Sequence, residues 1–396
     1  MKSFIGTFIK RERLKHNYSQ EGLCRGICVV SYLSKIEQGK TEAGEEIISA
    51  LLKRLEITYE TEEAFLKEAE RRIELLYEKL YEGTLKQEDV VVLQKEQKRY
   101  LASEYILDAM LFISLFENTE ERTENVGNGM EKKRVQELSE YTECMSQRQY
   151  ELYLYSTSEE KPEHFELLMK LNPNGCYLNA AGMFYWAKGE YLKAVEILNR
   201  AYQVSCEEGT VENMLSAQMM LGNCYSSMEQ KELMMKHYRT AKRLARALQK
   251  PEHLSTISYN IASTLLEWNQ VEEALEYFKE CSRKDALYYH KYAICMERLG
   301  EQQKAQKILE RGYETEDIKM YPVYREMFDV VKYRLEHKNY LQKAEYENML
   351  RSCMAHMREQ FPRGYEQFHV PYLIEVLEHQ RKYKEICSLM KEFPLK

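Results

Sequence analysis

The sequence predicts an all-α protein: a small helix-turn-helix domain followed by an α-solenoid of helix pairs. Three observations predict it. Apolar residues recur at helical spacing along most of the chain. Glycine and proline are scarce, 16 and 7 among 396 residues, and charged residues make up 31%, which suits a helical protein. Small residues recur at a fixed interval of forty positions, Gly182, Gly222 and Ala262, the mark of a repeat.

The N-terminal segment reads as four short helices. Ile5, Phe8, Ile9 and Leu14 line the first, which breaks near Asn17. Ser19 is a good N-cap for the second, and Gln20 and Glu21 suit its first turn, where acidic groups meet the positive end of the helix dipole. Leu23 and Ile27, then Leu33 and Ile36, are apolar at helical spacing on either side of a short break at Gly26 to Cys28. Two helices joined by so short a turn pack steeply, which leaves one face of the second open. Val30, Ser31, Ser34 and Lys35 fall on that face, and Gly39 stands where a helix end favours a left-handed residue. Ile47, Leu51, Leu52 and Leu55 line a fourth helix.

These residues carry a resemblance. Ile5-Gly6, Arg13, Ser19-Gln20-Glu21, Leu23 and Leu33-Ser34-Lys35-Ile36-Glu37-Gln38-Gly39-Lys40 are similar to the XRE-type helix-turn-helix over residues 3–57. The resemblance implies a pair between Arg13 and Glu37, a phosphate contact from Gln20, and a reading helix that carries Val30, Ser31, Tyr32, Ser34, Lys35 and Lys40 to DNA. The turn Arg25-Gly26-Ile27-Cys28 is one residue shorter than the family's common pattern. The reading helix therefore begins at Val29 or Val30, and the base contacts can move by one position.

Charge agrees with DNA binding. Residues 1–57 hold ten lysines and arginines against seven carboxylates, a balance of +3, in a chain of formal charge −7, which leaves −10 on residues 58–396. The basic surplus sits on the segment expected to meet phosphates.

The body is built from repeats. Each small residue of the forty-residue series is followed three positions on by a large apolar one, Tyr185, Tyr225 and Leu265. Ala194, Leu198 and Ala201 complete a first unit; Met234, Tyr238 and Ala241 a poorer second; Val271, Ala274, Phe278 and Cys281 a third; Ala293, Met296, Ala305, Leu309 and Gly312 a fourth. Gly189, Asn269 and Gly300 are suited to close the turns inside the units. The pattern resembles the tetratricopeptide repeat, clearest over 175–312, with degenerate units at 325–355 and 365–393 and helical sequence over 61–116. The forty-residue interval exceeds the usual 34, so the helices or the loops at Glu207-Glu208-Gly209 and Gln249-Lys250-Pro251 must be extended. Asn118 to Lys132 reads as a loop and Thr58-Tyr59-Glu60 as a linker. The expected domains are 1–60 and 61–396.

A tetratricopeptide superhelix implies a concave surface formed by the first helix of each unit, suited to an extended peptide. The residues expected there are Asn179, Met183 and Trp186; Met220 and Asn223; Tyr259 and Asn260; Lys291 and Arg298. An asparagine amide offers both a donor and an acceptor, so a row of them can hold a peptide backbone without reading its side chains. The competing use of the same asparagines is to bridge neighbouring helices. Lys291 and Arg298 suit a carboxylate.

An XRE-type head on a tetratricopeptide body resembles the RRNPP group of peptide-sensing regulators. The resemblance implies a cytoplasmic homodimer that binds double-stranded operator DNA and a short peptide pheromone. An alternative within the wider group is a protein-binding scaffold or a protein that acts on a phosphorelay partner, for which Glu88 and Gln94 are candidate water-positioning groups. No nucleotide loop, nucleophile motif or zinc spacing is present, so no catalytic residue, cofactor or metal is expected; Cys24 and Cys28 stand four apart without further ligands in register. No apolar run is long enough to span a membrane.

Overall fold

In a computed structural model of the chain the described residues are 4–57, 60, 62–121 and 138–393. Among them every regular element is helical, with no strand. They form two compact units, Met1–Tyr177 and Leu178–Lys396.

The first unit opens with α1 (Phe4–Lys15), α2 (Gln20–Cys24), α3 (Val30–Glu37) and α4 (Glu45–Arg54). Phe8, Ile9, Leu23, Cys24, Leu33, Leu51, Leu52 and Leu55 make their common core. Ser19 caps α2 as expected, its side chain accepting from the Gly22 amide. Glu45 and Glu46 begin α4, and Lys53 and Arg54 end it, each sign matching the dipole of its end. The Arg54 guanidinium reaches back to the Leu23 and Arg25 carbonyls and so satisfies acceptors that the end of α2 would otherwise orphan. At Gly6, α1 and α3 touch backbone to backbone: an added Cβ would lie 1.9 Å from the Ile36 carbonyl oxygen.

The unit continues through α5 (Glu63–Glu82), α6 (Gln87–Lys95), α7 (Gln97–Tyr100), α8 (Ile106–Glu121), α9 (Gln147–Thr157) and α10 (Glu163–Leu171). Ile106 of α8 belongs to the core of the head. The outer face of α1 also meets the segment before α9: Phe4 packs on Tyr141 at 5.4 Å between ring centroids, and Arg11 donates to the Tyr141 hydroxyl at 2.5 Å. The head is thus seated on the helices that follow it. Of the loop expected over 118–132, Asn118–Glu121 are the last turn of α8; the rest, like Thr58 and Tyr59 of the expected linker, lies outside the described residues.

The second unit is a run of helix pairs: α11 (Gly175–Ala187) with α12 (Tyr191–Glu208), α13 (Val211–Ser227) with α14 (Lys231–Ala247), α15 (Pro251–Glu267) with α16 (Val271–Glu280), and α17 (Ala286–Arg298) with α18 (Gln302–Tyr313). After the short α19 (Glu316–Met320) come α20 (Pro322–Glu336) with α21 (Ala344–Gln360), then α22 (Arg363–His379) with α23 (Tyr383–Glu392). The forty-residue period is met by long helices; α12 has 18 residues and α13, α14 and α15 have 17 each. Glu207 and Glu208 accordingly end a helix and are not loop residues.

The recurrent small residues are explained by contact. A Cβ on Gly182 would lie 2.5 Å from Leu198, and one on Gly222 would lie 2.5 Å from the Tyr238 ring. In these two pairs the helices approach more closely than a side chain permits, and in the third the space takes only the methyl of the buried Ala262. The short turns within five of the six pairs each use one left-handed residue. Gly189, Asn269 and Gly300 supply it as expected, and Glu229 and Arg381 do so in turns where the sequence offered no glycine or asparagine.

Candidate functional site

Two sites emerge, one in each unit. In the head, α3 begins at Val30 with Val29 as its N-cap residue. Leu33 and Ile36 are fully buried, whereas Val29 is 68% and Val30 41% exposed. Ser31, Lys35 and Lys40 are exposed, and Tyr32 and Ser34 half-buried. Ser34 accepts from the Gln38 amide and the Tyr32 hydroxyl reaches the Glu42 carbonyl, so α3 presents Val30, Ser31 and Lys35 on an open stripe.

What holds α3 in place is a buried pair. Arg13 on α1 grips Glu37 with two parallel bonds, Nε to Oε1 at 2.6 Å and Nη2 to Oε2 at 3.0 Å, and its Nη1 donates to the Tyr18 carbonyl at 2.8 Å. The Gln20 amide donates to the same carboxylate at 2.8 Å. Sequence reasoning gave Gln20 to a phosphate; the structure occupies its amide N–H with Glu37. Burial alone would make the charges costly, but a forked pair with further hydrogen bonds compensates them.

The second site lies on the first helices of the repeats. Their facing side chains are tied into a polar ladder. The Asn179 amide donates to the Asn213 carbonyl at 2.9 Å, Trp186 donates to Ser227 at 3.2 Å, and Asn260 donates to Asn223 Oδ1 at 3.0 Å. Tyr238 donates to the same Asn223 oxygen at 2.6 Å. The bridging role of the asparagines is therefore what the structure shows. It leaves Asn223 with a donor that meets only the Met220 sulfur, at 3.4 Å. Asn179 is 7% exposed, and its Oδ1 is buried with no partner. Met183 is half exposed, and Met220, Asn223, Tyr259 and Asn260 are half-buried.

Lys291 and Arg298 are engaged by α22. Lys291 is 6% exposed, lies over the Phe368 ring, and reaches Glu267 at a loose 3.5 Å. Burial pushes its ammonium down to about 7. Arg298 donates to the Leu266 carbonyl and, at 2.8 Å, to the Tyr372 hydroxyl. Beside them lies a pair that the sequence gave no reason to bring together. His290 and His369 are both buried, their rings stacked at 5.7 Å. Both are held well below the ordinary histidine range by burial, His369 at about 3. Arg334 meets Glu297 in a fork at 2.9 and 2.6 Å next to them. No spacing in the sequence could have paired residues 290 and 369; only the return of α22 onto α17 does.

The described residues hold no group of three or more histidine, cysteine, aspartate or glutamate side chains suited to a metal ion. None of their helices is long and apolar enough to cross a membrane.

Comparison with known proteins separates the same two parts. A helix-turn-helix profile matches residues 9–61, and a tetratricopeptide-repeat profile matches 215–248 and 255–283. The chain joins an XRE-type helix-turn-helix to tetratricopeptide repeats. The match at 215–248 falls on the second unit, in which Tyr238 fills the place that Leu198 and Phe278 take in its neighbours. Among solved structures, a Rap protein complexed with competence and sporulation factor is similar at 10% identity, covering 82% of this chain and 96% of its own, with a TM-score of 0.63. The apo form of the quorum sensor NprR from B. thuringiensis is similar at 14% identity, covering 82% and 97%, with a TM-score of 0.55. NprR in complex with its cognate peptide NprX is similar at 16% identity, covering 73% and 89%, with a TM-score of 0.51. Rap and NprR are members of the RRNPP family, and at these identities the likeness establishes a shared fold. No curated protein matches the chain.

Proposed function

We propose that this protein is a transcriptional regulator that binds operator DNA through α3 and senses a short peptide on the first helices of its repeats. The observation that carries the first half is the outward stripe Val30, Ser31 and Lys35 on a short helix fixed from behind by the Arg13–Glu37 pair. Such a helix can enter a major groove with its side chains already positioned, and serine and lysine both donate to base acceptors. A homodimer would place two such helices over a two-fold symmetric site.

The second half rests on the ladder. The donor of Asn223 and the acceptor of Asn260 belong to hydrogen-bonded neighbours, and one residue of an extended chain turns its C=O and N–H to the same side to meet such a pair. Met183, Trp186, Met220 and Tyr259 supply apolar surface around them, and Asn179, Lys291 and Arg298 become ligands once neighbouring bonds are exchanged. A peptide that binds one arrangement of the ladder better than another shifts the population of that arrangement, and DNA affinity with it. Selection from a pool of random duplexes, followed by affinity measurement with and without a library of short peptides, tests both halves. An enriched symmetric sequence whose affinity responds to a peptide is expected. Absence of enrichment removes the regulator, and enrichment that no peptide alters removes the sensor.

A further inference from the structure

The turn of the head carries two cysteines that the functions above leave unused. Cys24 is the last residue of α2, 2% exposed, and packs in the core with Leu23, Leu33 and Leu52. Cys28 is partly exposed and immediately precedes Val29, the N-cap residue of α3. The Cys28 amide donates to the Cys24 carbonyl at 3.0 Å, which closes the turn between them. A turn closed by an i→i+4 bond brings its two ends together, as a disulfide requires, since it spans Cα atoms roughly 4.4–6.8 Å apart. The Cys24 sulfur is near enough to raise the Cys28 thiol, while the Cys24 thiol itself donates to the Glu21 carbonyl at 3.8 Å.

We propose that Cys24 and Cys28 are a reversible disulfide-forming pair whose oxidation by a low-molecular-weight disulfide displaces the first turn of the reading helix. The chemistry is two exchanges. The Cys28 thiolate, the more exposed, attacks one sulfur of the small disulfide, forming a mixed disulfide and expelling one small thiolate. The Cys24 thiolate then attacks the Cys28 sulfur and expels the second. Two protein thiols are oxidised, one small disulfide is reduced to two thiols, and two protons leave the cysteines. Closing the bond draws the two sulfurs together to about 2.05 Å. Because Cys24 is wedged in the core and Cys28 abuts α3, the shortening is taken up by the turn and by Val29 and Val30, the first exposed residues of the reading face. Burial and the Cys24 sulfur raise the Cys28 thiol, against the Leu33 amide, so trapping is slow near neutrality and quickens as pH rises. The other cysteines serve as controls: Cys206 and Cys387 are exposed and take simple adducts.

The effect on DNA rests on the proposed DNA-binding role; the cross-link does not. Trypsin cuts after Arg25, so a Cys24–Cys28 bond ties the peptide 16–25 to the peptide 26–35. Full-length protein treated with oxidised glutathione, alkylated and digested without reductant should yield that linked pair, faster at pH 8.5 than at pH 7, and the Cys28→Ser variant should not. Amide hydrogen exchange over Val30–Glu37 should quicken on oxidation in the wild type alone. Affinity for the best selected duplex should fall at least about tenfold, recover with dithiothreitol, and stay constant in Cys28→Ser. Absence of the linked pair while Cys206 and Cys387 take up glutathione overturns the proposal. So does a linked pair that leaves exchange in α3 unchanged. A linked pair that alters exchange in a protein that binds no duplex in either state retains the switch and refutes the regulator.

Discussion

The open face of α3 in the head and the ladder of the repeats are both polar surfaces on helices, yet they are built in opposite ways. In the head, the groups that position α3 are satisfied behind it, in the Arg13–Glu37–Gln20 cluster, and the stripe in front is open. In the repeats, the groups that would meet a ligand are the ones that hold the helices together: Asn223, Asn260 and Arg298 all bond within the chain. A surface of the first kind can bind without rearrangement. A surface of the second kind must exchange internal bonds for external ones, which makes binding there inseparable from a change in how the repeats pack. The contrast suits an output surface and an input surface.

Breaking what lies behind the head should have the largest effect. Arg13→Ala leaves Glu37 buried without its fork, and loss of one partner from such a pair costs about 3–5 kcal/mol. Chemical denaturation should show the head unfolding at much lower denaturant. The double change Arg13→Met with Glu37→Leu should recover most of the loss, since it removes both charges together. If Arg13→Ala leaves stability within about 0.5 kcal/mol, the pair is not what fixes α3.

Close approach of backbones gives the next effect, and here the two regions differ in degree. At Gly6 a methyl would strike a carbonyl oxygen of α3, whereas at Gly222 it would strike the face of the Tyr238 ring. A ring can swing aside more readily than a helix can. Gly6→Ala should therefore cost about 3 kcal/mol and Gly222→Ala about 1–2 kcal/mol, within the usual range for overpacking. Thermal unfolding of both variants checks the order; the reverse order would place the tighter helix contact in the repeats.

Much of this was legible in the sequence, and the rest was hidden for identifiable reasons. The cap at Ser19, the inward Leu33 and Ile36 and the left-handed residues at Gly39, Gly189, Asn269 and Gly300 follow from local chemistry at fixed spacing, whereas the Arg13–Glu37 pair was implied by the resemblance to the XRE-type helix-turn-helix. Glu229 and Arg381 escaped because their turns use residues with no intrinsic preference for positive φ; the packing of the two helices imposes it. The cover over Lys291 escaped because Phe368 lies far along the chain. An aligned repeat identifies which residues share a helix face, but not which later helix comes back to lie on it.

That cover makes the repeats sensitive to pH, and the head has no equivalent. His290 and His369 are neutral in the folded chain because burial lowers them, with His369 down to about 3. An unfolded histidine takes up a proton near 6.5, so below that value the unfolded chain binds more protons than the folded one. The histidines' contribution to stability is then fully present above about pH 6.5 and falls as pH drops, by up to about 1.4 kcal/mol per pH unit for each histidine. Denaturation at pH 7.5 and pH 5.5 should show this loss, and the double variant His290→Phe with His369→Phe should flatten the profile. Retention of the full slope in that variant would place the titrating groups elsewhere.

On DNA, alanine at Lys35 or Ser31 should weaken binding to a selected duplex by about 1–3 kcal/mol if each makes a good base contact, with no change in the unfolding curve. Fluorescence anisotropy reads the first and circular dichroism the second. Loss of stability with no loss of affinity would mean that the open stripe is not the reading face.

The smallest effect is the one that separates the two uses of the ladder. Asn260→Ala removes one of two hydrogen bonds to Asn223 Oδ1, and Tyr238 keeps the other. A bond replaced in this way is worth about 1 kcal/mol or less, so the repeats should remain folded with a slightly lower midpoint. If the asparagines serve only to bridge helices, peptide affinity should move by no more than that amount. If Asn260 also accepts from a peptide amide, its loss should cost the ligand a further 1 kcal/mol or so. A cycle of Asn223→Ala and Asn260→Ala, read in both unfolding and peptide titration, divides the cases. Equal coupling energies in the two measurements assign the ladder to architecture. A larger coupling in the titration assigns it to the ligand, because a peptide residue that bridges both amides loses its grip on one when the other is removed.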